Sequence, residues 1–124
     1  DVDDCCDAVL TFGGVPVSLH ADFYQYPSSR YILIVGSNGK INADIIKNNL
    51  TLSVGDKTSE IDFNDFTRND MFIEEIKRFF DCVEKDSAPD ITVEDGVKSL
   101  KIALAVKQSV ACGGKYIDMM EEML

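Results

Sequence analysis

His20 and Asp22 are the residues whose types and spacing suit chemistry best in this chain. They stand two apart in the run Val15 to Tyr24, which alternates in polarity. Val15, Val17, Leu19, Ala21 and Phe23 fall on one side; Ser18, His20, Asp22 and Tyr24 fall on the other. In an extended strand, residues i and i+2 share a face, so this imidazole and carboxylate can hydrogen-bond or touch a substrate. A lone His on a strand also serves purely structural ends, and both readings remain open on the residues alone. No nucleophile–base pair accompanies them. Gly36-x-x-Gly39 follows an apolar run as a phosphate loop would, but it lacks the G-x-G-x-x-G pattern and a following helix, so it reads as a hairpin turn. Lys40, Asp44, Glu74 and Glu75 read as solvated surface. Of the four cysteines, Cys5 and Cys6 are adjacent, Cys82 and Cys112 stand apart, and none forms a C-x-x-C pair. With one His in the chain, a zinc site would need scattered ligands to converge, so reduced, mostly buried cysteines and no metal site are expected. No catalytic site belonging to this chain alone is expected.

The elements that must position these residues are legible from periodicity. Asp7 to Phe12 is a short apolar strand, and Gly13-Gly14 is a tight turn into the Val15 to Tyr24 strand. Pro27-Ser28-Ser29 breaks the run. Arg30 to Val35 is almost continuously apolar, which predicts a strand covered on both faces. Lys40 to Asp44 pairs back through Gly36-Ser37-Asn38-Gly39, and strands at Asn49 to Val54 and Lys57 to Phe63 meet at Gly55-Asp56. From Thr67 onward the period changes. Phe72, Ile76, Phe79, Phe80 and Val83 mark one face of a helix capped at Asn69. Thr92-Val93-Glu94-Asp95 is a capping box for a second helix, whose stripe holds Val97, Leu100, Ala103, Leu104, Val106, Val110 and Ala111. Gly113-Gly114 ends it, and a brief closing strand follows. The expected fold is α+β: an open, mainly antiparallel sheet of about six strands, with two C-terminal helices packed on one face. The other face, carrying Ser18, His20, Asp22 and Tyr24, is expected at a subunit interface, with ordinary solvation as the alternative.

Composition narrows the partners. A chain of 124 residues, 45% hydrophobic and 27% charged, suits one globular domain. A net charge of -10 argues against nucleic acid and anionic membranes, which would repel it. No apolar run approaches the roughly 20 residues of a membrane span, and no signal peptide opens the chain, so a cytoplasmic location is expected. Asp1 stands where a Met would begin a gene product, which suggests a section cut from something longer.

The order of these motifs resembles the C-terminal domain of the Gfo/Idh/MocA family of NAD(P)-dependent oxidoreductases, the glucose-fructose oxidoreductase and inositol dehydrogenase relatives. DCCDAVLTFGGVPV, from Asp4 to Val17, is similar to that family's strand pair with a glycine turn. SLHADFYQYPSSRYILIVGSNG, from Ser18 to Gly39, resembles its strand followed by R-x-x-x-I-x-G-x-x-G. NDMFIEEIKRFF, from Asn69 to Phe80, and the stretch Ile91 to Ile117 resemble its two helical segments. The resemblance covers nearly the whole chain; it rests on order and spacing, and the SLHADFYQYP stretch looks closest to members acting on nucleotide sugars.

The resemblance implies a division of labour. Such enzymes carry an N-terminal Rossmann domain with a glycine-rich cofactor loop and a Glu-Lys-Pro segment whose lysine is catalytic, followed by an Asp and a His. None of these motifs occurs here, and His20 does not match the family's catalytic histidine. The chain is therefore expected to be the substrate and oligomerisation domain of a sugar or nucleotide-sugar oxidoreductase. NAD(P) would be held by the absent domain and none by this chain. His20, Asp22, Tyr24 and Arg30 would reach the sugar, and the open sheet face would join copies into a homo-oligomer. A freestanding, non-catalytic module that dimerises or binds a small ligand is the alternative.

Overall fold

In the computed structural model, residues 4–119 of the chain are described, and they form six strands followed by two helices. The strands are β1 (Cys5–Phe12), β2 (Val15–Asp22), β3 (Tyr31–Gly36), β4 (Gly39–Asp44), β5 (Asn49–Val54) and β6 (Lys57–Asp62); the helices are α1 (Arg68–Lys85) and α2 (Val93–Ala111). All neighbouring strands are antiparallel, so the fold is α+β with open sheets, as expected. The strands divide into two sheets instead of one: a β1–β2 hairpin, and a four-stranded sheet in the order β3-β4-β5-β6. The break falls at residues 23–30, where Pro27 removes a backbone donor that a continuous ladder would need. No strand follows α2: Lys115 to Asp118 is irregular, so the expected closing strand is absent among the described residues.

The chain separates into two compact units, Asp1–Glu75 and Ile76–Leu124. The first is a chain of hairpins whose turns set their own registers. Gly13 and Gly14, both at positive φ, form the two-residue loop that places Phe12 opposite Val15 and Asp7 opposite His20. Side-chain alternation then gives the β1–β2 hairpin two unlike faces. Cys6, Ala8, Leu10, Val17, Leu19 and Ala21 share the apolar one, and Cys5, Asp7, Ser18, His20 and Asp22 share the polar one.

Local capping is well made. Thr67, not Asn69, starts α1: its N–H and hydroxyl both donate to Asp70 Oδ2 at 2.7 Å, and Asn69 lies inside the helix. At α2 the expected box is present, with Asp95 N–H donating to Thr92 Oγ1 at 3.3 Å and Thr92 N–H to Asp95 Oδ2 at 3.1 Å. Gly113 and Gly114, at φ 77 and 83, close α2 with bonds to the Val110 and Ser109 carbonyls.

Burial departs furthest from expectation. Among the described residues only Ala105 is buried. Phe79, expected in the core, is 65% exposed, and Phe72, Ile76, Leu33, Leu100 and Leu104 are exposed too. β3 was expected to be covered on both faces, yet Tyr31, Ile32, Leu33, Ile34 and Val35 are each more than half exposed. Strand and helix formation here rests on hydrogen bonding, turns and caps. The apolar faces those elements create are exposed within each unit. The cysteines follow suit: all four are free thiols, Cys5 and Cys112 exposed and Cys6 and Cys82 part-exposed, in place of the buried set expected.

Candidate functional site

The polar face of the β1–β2 hairpin carries the densest set of ionisable groups with defined partners. Cys5 lies opposite Asp22 and Asp7 opposite His20, so four side chains form a square on one face of two strands. His20 is held at both ring nitrogens: Nδ1 lies 2.6 Å from Asp7 Oδ1 and Nε2 lies 2.7 Å from Asp22 Oδ2. Asp22 is itself fixed. Its Oδ1 accepts the backbone N–H groups of Tyr24 at 2.7 Å and Gln25 at 2.8 Å, an Asx-type turn that ends β2. The Tyr24 hydroxyl donates to Asp4 Oδ2, tying the chain after β2 back to the residue before β1. The Phe23 N–H to Asp4 carbonyl bond, at 3.0 Å, extends the ladder by one rung.

The electrostatics follow from those contacts. The Asp7 hydrogen bond, then that of Asp22, raises the His20 pKa above its ordinary value, because both carboxylates favour the charged ring. The Gln25 N–H, then His20, lowers that of Asp22. The bond to Asp4 raises the Tyr24 phenol. Partial desolvation, with the negative charges of Asp7, Asp22 and Asp4, raises the Cys5 thiol, so it is a poor nucleophile as it stands. An imidazole engaged by two carboxylates is a positioned donor of hydrogen bonds, not a free general base.

Of the four residues singled out for substrate contact, the structure brings His20, Asp22 and Tyr24 into one network. Arg30 is exposed just before β3; its carbonyl accepts the Ile45 N–H at 2.8 Å, and no hydrogen bond or ion pair joins its side chain to that network among the described residues. Sequence reasoning missed Asp4, Cys5 and Asp7. The signal for them lay in the Gly13-Gly14 loop: a two-residue turn fixes which β1 residue faces His20. It also set aside a convergence that occurs, since one ligand atom from each of Cys5, Asp7 and His20 lies within 4.8 Å of the others.

Elsewhere the surface offers less. Two shallow depressions on the four-stranded sheet are lined by Leu52 to Ser59 residues and by Leu33, Lys40, Asn42, Thr51 and Ser53, none of them in the hairpin network. Gly36 and Gly39 face each other across the β3–β4 turn, a hairpin as expected. No helix among the described residues is long and apolar enough to cross a membrane. Comparison of the chain with protein-family models, curated proteins and solved structures finds no match.

Proposed function

We propose that this chain is the substrate-facing and assembly domain of a cytoplasmic NAD(P)-dependent oxidoreductase that acts on a sugar hydroxyl, with the dinucleotide held by a separate Rossmann domain. The observation that carries the reading is the Asp7–His20–Asp22 network with Tyr24 and Asp4 beside it. Carboxylates accept from hydroxyl groups, and imidazole and phenol donate to them; such a set, preorganised on a strand pair, binds a polyol by its hydroxyl pattern. The excess of carboxylate favours a neutral sugar over the phosphate end of a nucleotide sugar, whose contact would fall to the Arg30 guanidinium.

Cofactor binding is assigned elsewhere for a physical reason. A pyrophosphate needs free backbone amides at a helix N-terminus. Here Asp70 occupies the first turn of α1, and Glu94 and Asp95 that of α2. The resemblance of motif order supports the family; the uncovered β3 strand and helix faces support a chain that functions against more protein. Those same faces favour a second reading, a freestanding module that dimerises.

The gene separates the two. About 180 to 220 codons upstream of Asp1, including G-x-G-x-x-G between a strand and a helix, support the oxidoreductase, and the encoded longer polypeptide should then oxidise a sugar with NAD(P) reduction. A start codon just before Asp1 overturns it in favour of the module.

A further inference from the structure

The square of side chains on the hairpin has a second use that needs neither a sugar nor a cofactor domain. We propose that Cys5, Asp7 and His20 form a binding site for a divalent transition-metal ion of the zinc class, with Asp22 orienting the imidazole. Three observations converge on it. First, the donor set is one sulfur, one carboxylate oxygen and one ring nitrogen, with ligand atoms within 4.8 Å of one another. Tetrahedral zinc, at about 2.0–2.3 Å from each ligand, spaces them roughly 3–4 Å apart. Asp7 and His20 must open slightly from hydrogen-bond distance and Cys5 must close in, adjustments open to side chains that are all exposed.

Second, the backbone is already suited. Cys5 and Asp7 are i and i+2 on β1, and His20 is the direct cross-strand partner of Asp7, so all three point from one face of a hairpin held by its own ladder.

Third, the outer support is built. A metal-ligating His typically donates its other ring N–H to a carboxylate, which fixes the tautomer and ring orientation. With Nδ1 on the metal, Nε2–H points at Asp22 Oδ2, and Asp22 is anchored in turn by the Tyr24 and Gln25 amides.

Ligand softness excludes the hard ions: thiolate and imidazole select zinc, cobalt or nickel over magnesium or calcium. The thiolate and carboxylate together neutralise the ion's two charges. Binding releases the thiol proton of Cys5 and the proton between Nδ1 and Asp7. Three protein ligands leave the fourth tetrahedral position for water or a small anion.

The test is a Co²⁺ titration of the reduced, metal-free 124-residue chain, read by absorption. One equivalent should produce four-coordinate d–d bands and a thiolate-to-cobalt charge-transfer band, and Zn²⁺ should displace both. The charge-transfer band should vanish in Cys5→Ser and persist in Cys6→Ser, Cys82→Ser and Cys112→Ser. His20→Gln should weaken binding at least tenfold, and Asp22→Asn, which keeps every ligand, should weaken it about 10–100-fold. Far-ultraviolet circular dichroism of each variant checks the fold. Should Cys5→Ser unfold, alkylation of Cys5 in the folded wild-type chain, mapped by mass spectrometry, must be blocked by stoichiometric Zn²⁺. No charge-transfer band at one equivalent, a band that survives Cys5→Ser, or alkylation indifferent to Zn²⁺ overturns the site.

Discussion

His20 Nδ1 stands 2.6 Å from Asp7 Oδ1, across a ladder whose register is set by two glycines six residues away from either partner. The same ring meets Asp22 on its other side, so its proton affinity is governed by two carboxylates of unlike exposure. The Asp7 side chain is 78% exposed and the Asp22 side chain 7%. In chelator-treated buffer, His20 should titrate above the ordinary histidine range by proton NMR, and Asp7→Asn should lower its pKa more than a remote Asp62→Asn change does. A raised folded-state pKa means that the stabilisation is full below the unfolded value and fades as pH rises through the folded one. The melting temperature of the hairpin unit should therefore fall across that interval, and less so in Asp7→Asn.

Asp95 gives the opposite dependence. The Lys98 ammonium at 2.9 Å, then the Thr92 N–H and hydroxyl, hold its pKa down at about 2. Its contribution to α2 should be complete above the ordinary aspartate range and disappear only as pH falls through about 2. Circular dichroism at acid pH should show helix loss late in the wild type. Thr92→Ala, which removes the cap, should cost about 1 kcal/mol at neutral pH.

Two glycines should respond with opposite signs. A Cβ on Gly39 would overlap the Ser53 carbonyl oxygen of the neighbouring strand, so Gly39→Ala should disturb β4–β5 pairing and lower the melting temperature. At Gly96, inside α2, a Cβ would meet nothing within 4 Å. Gly96→Ala should stabilise by about 0.4–1 kcal/mol through the unfolded chain.

The exposure of Phe79 has a cause in what a sequence pattern can say. Periodicity and turn chemistry are local, and they located six strands and two helices within a residue or two, down to the Thr92 box and the Gly113-Gly114 stop. What an apolar stripe packs against is not local. Phe72, Ile76 and Phe79 do share a helical face, but the sequence pattern says only that such a face needs covering. The separation of β1–β2 from β3–β6 likewise depends on residues 23–30, whose polar and proline content signals an interruption without saying whether the sheet resumes. At the site, His20 and Asp22 were legible as neighbours by i and i+2, whereas Asp7 and Cys5 required the hairpin register.

Uncovered apolar faces predict association. Phe79, in edge contact with Phe80 at 5.8 Å, and the β3 residues should be covered by a second copy in solution. Light scattering should give a dimer or larger species, and Phe79→Ala should weaken association while costing the monomer much less than the roughly 3–5 kcal/mol of a buried Phe. A monomer at high concentration would rule out a second copy as what covers those faces and leave them to another domain.

The most direct measurement of the proposed role is an amide-shift titration of the isotope-labelled chain with glucose, inositol, a nucleotide sugar and NADH in turn. At least one sugar should move the Tyr24 and Gln25 amides, which report on Asp22, together with the His20 ring signals, while NADH produces no saturable change. Sugars that leave those signals still, or NADH saturation at micromolar concentration, would contradict the assignment of this hairpin to substrate and of the cofactor to another domain.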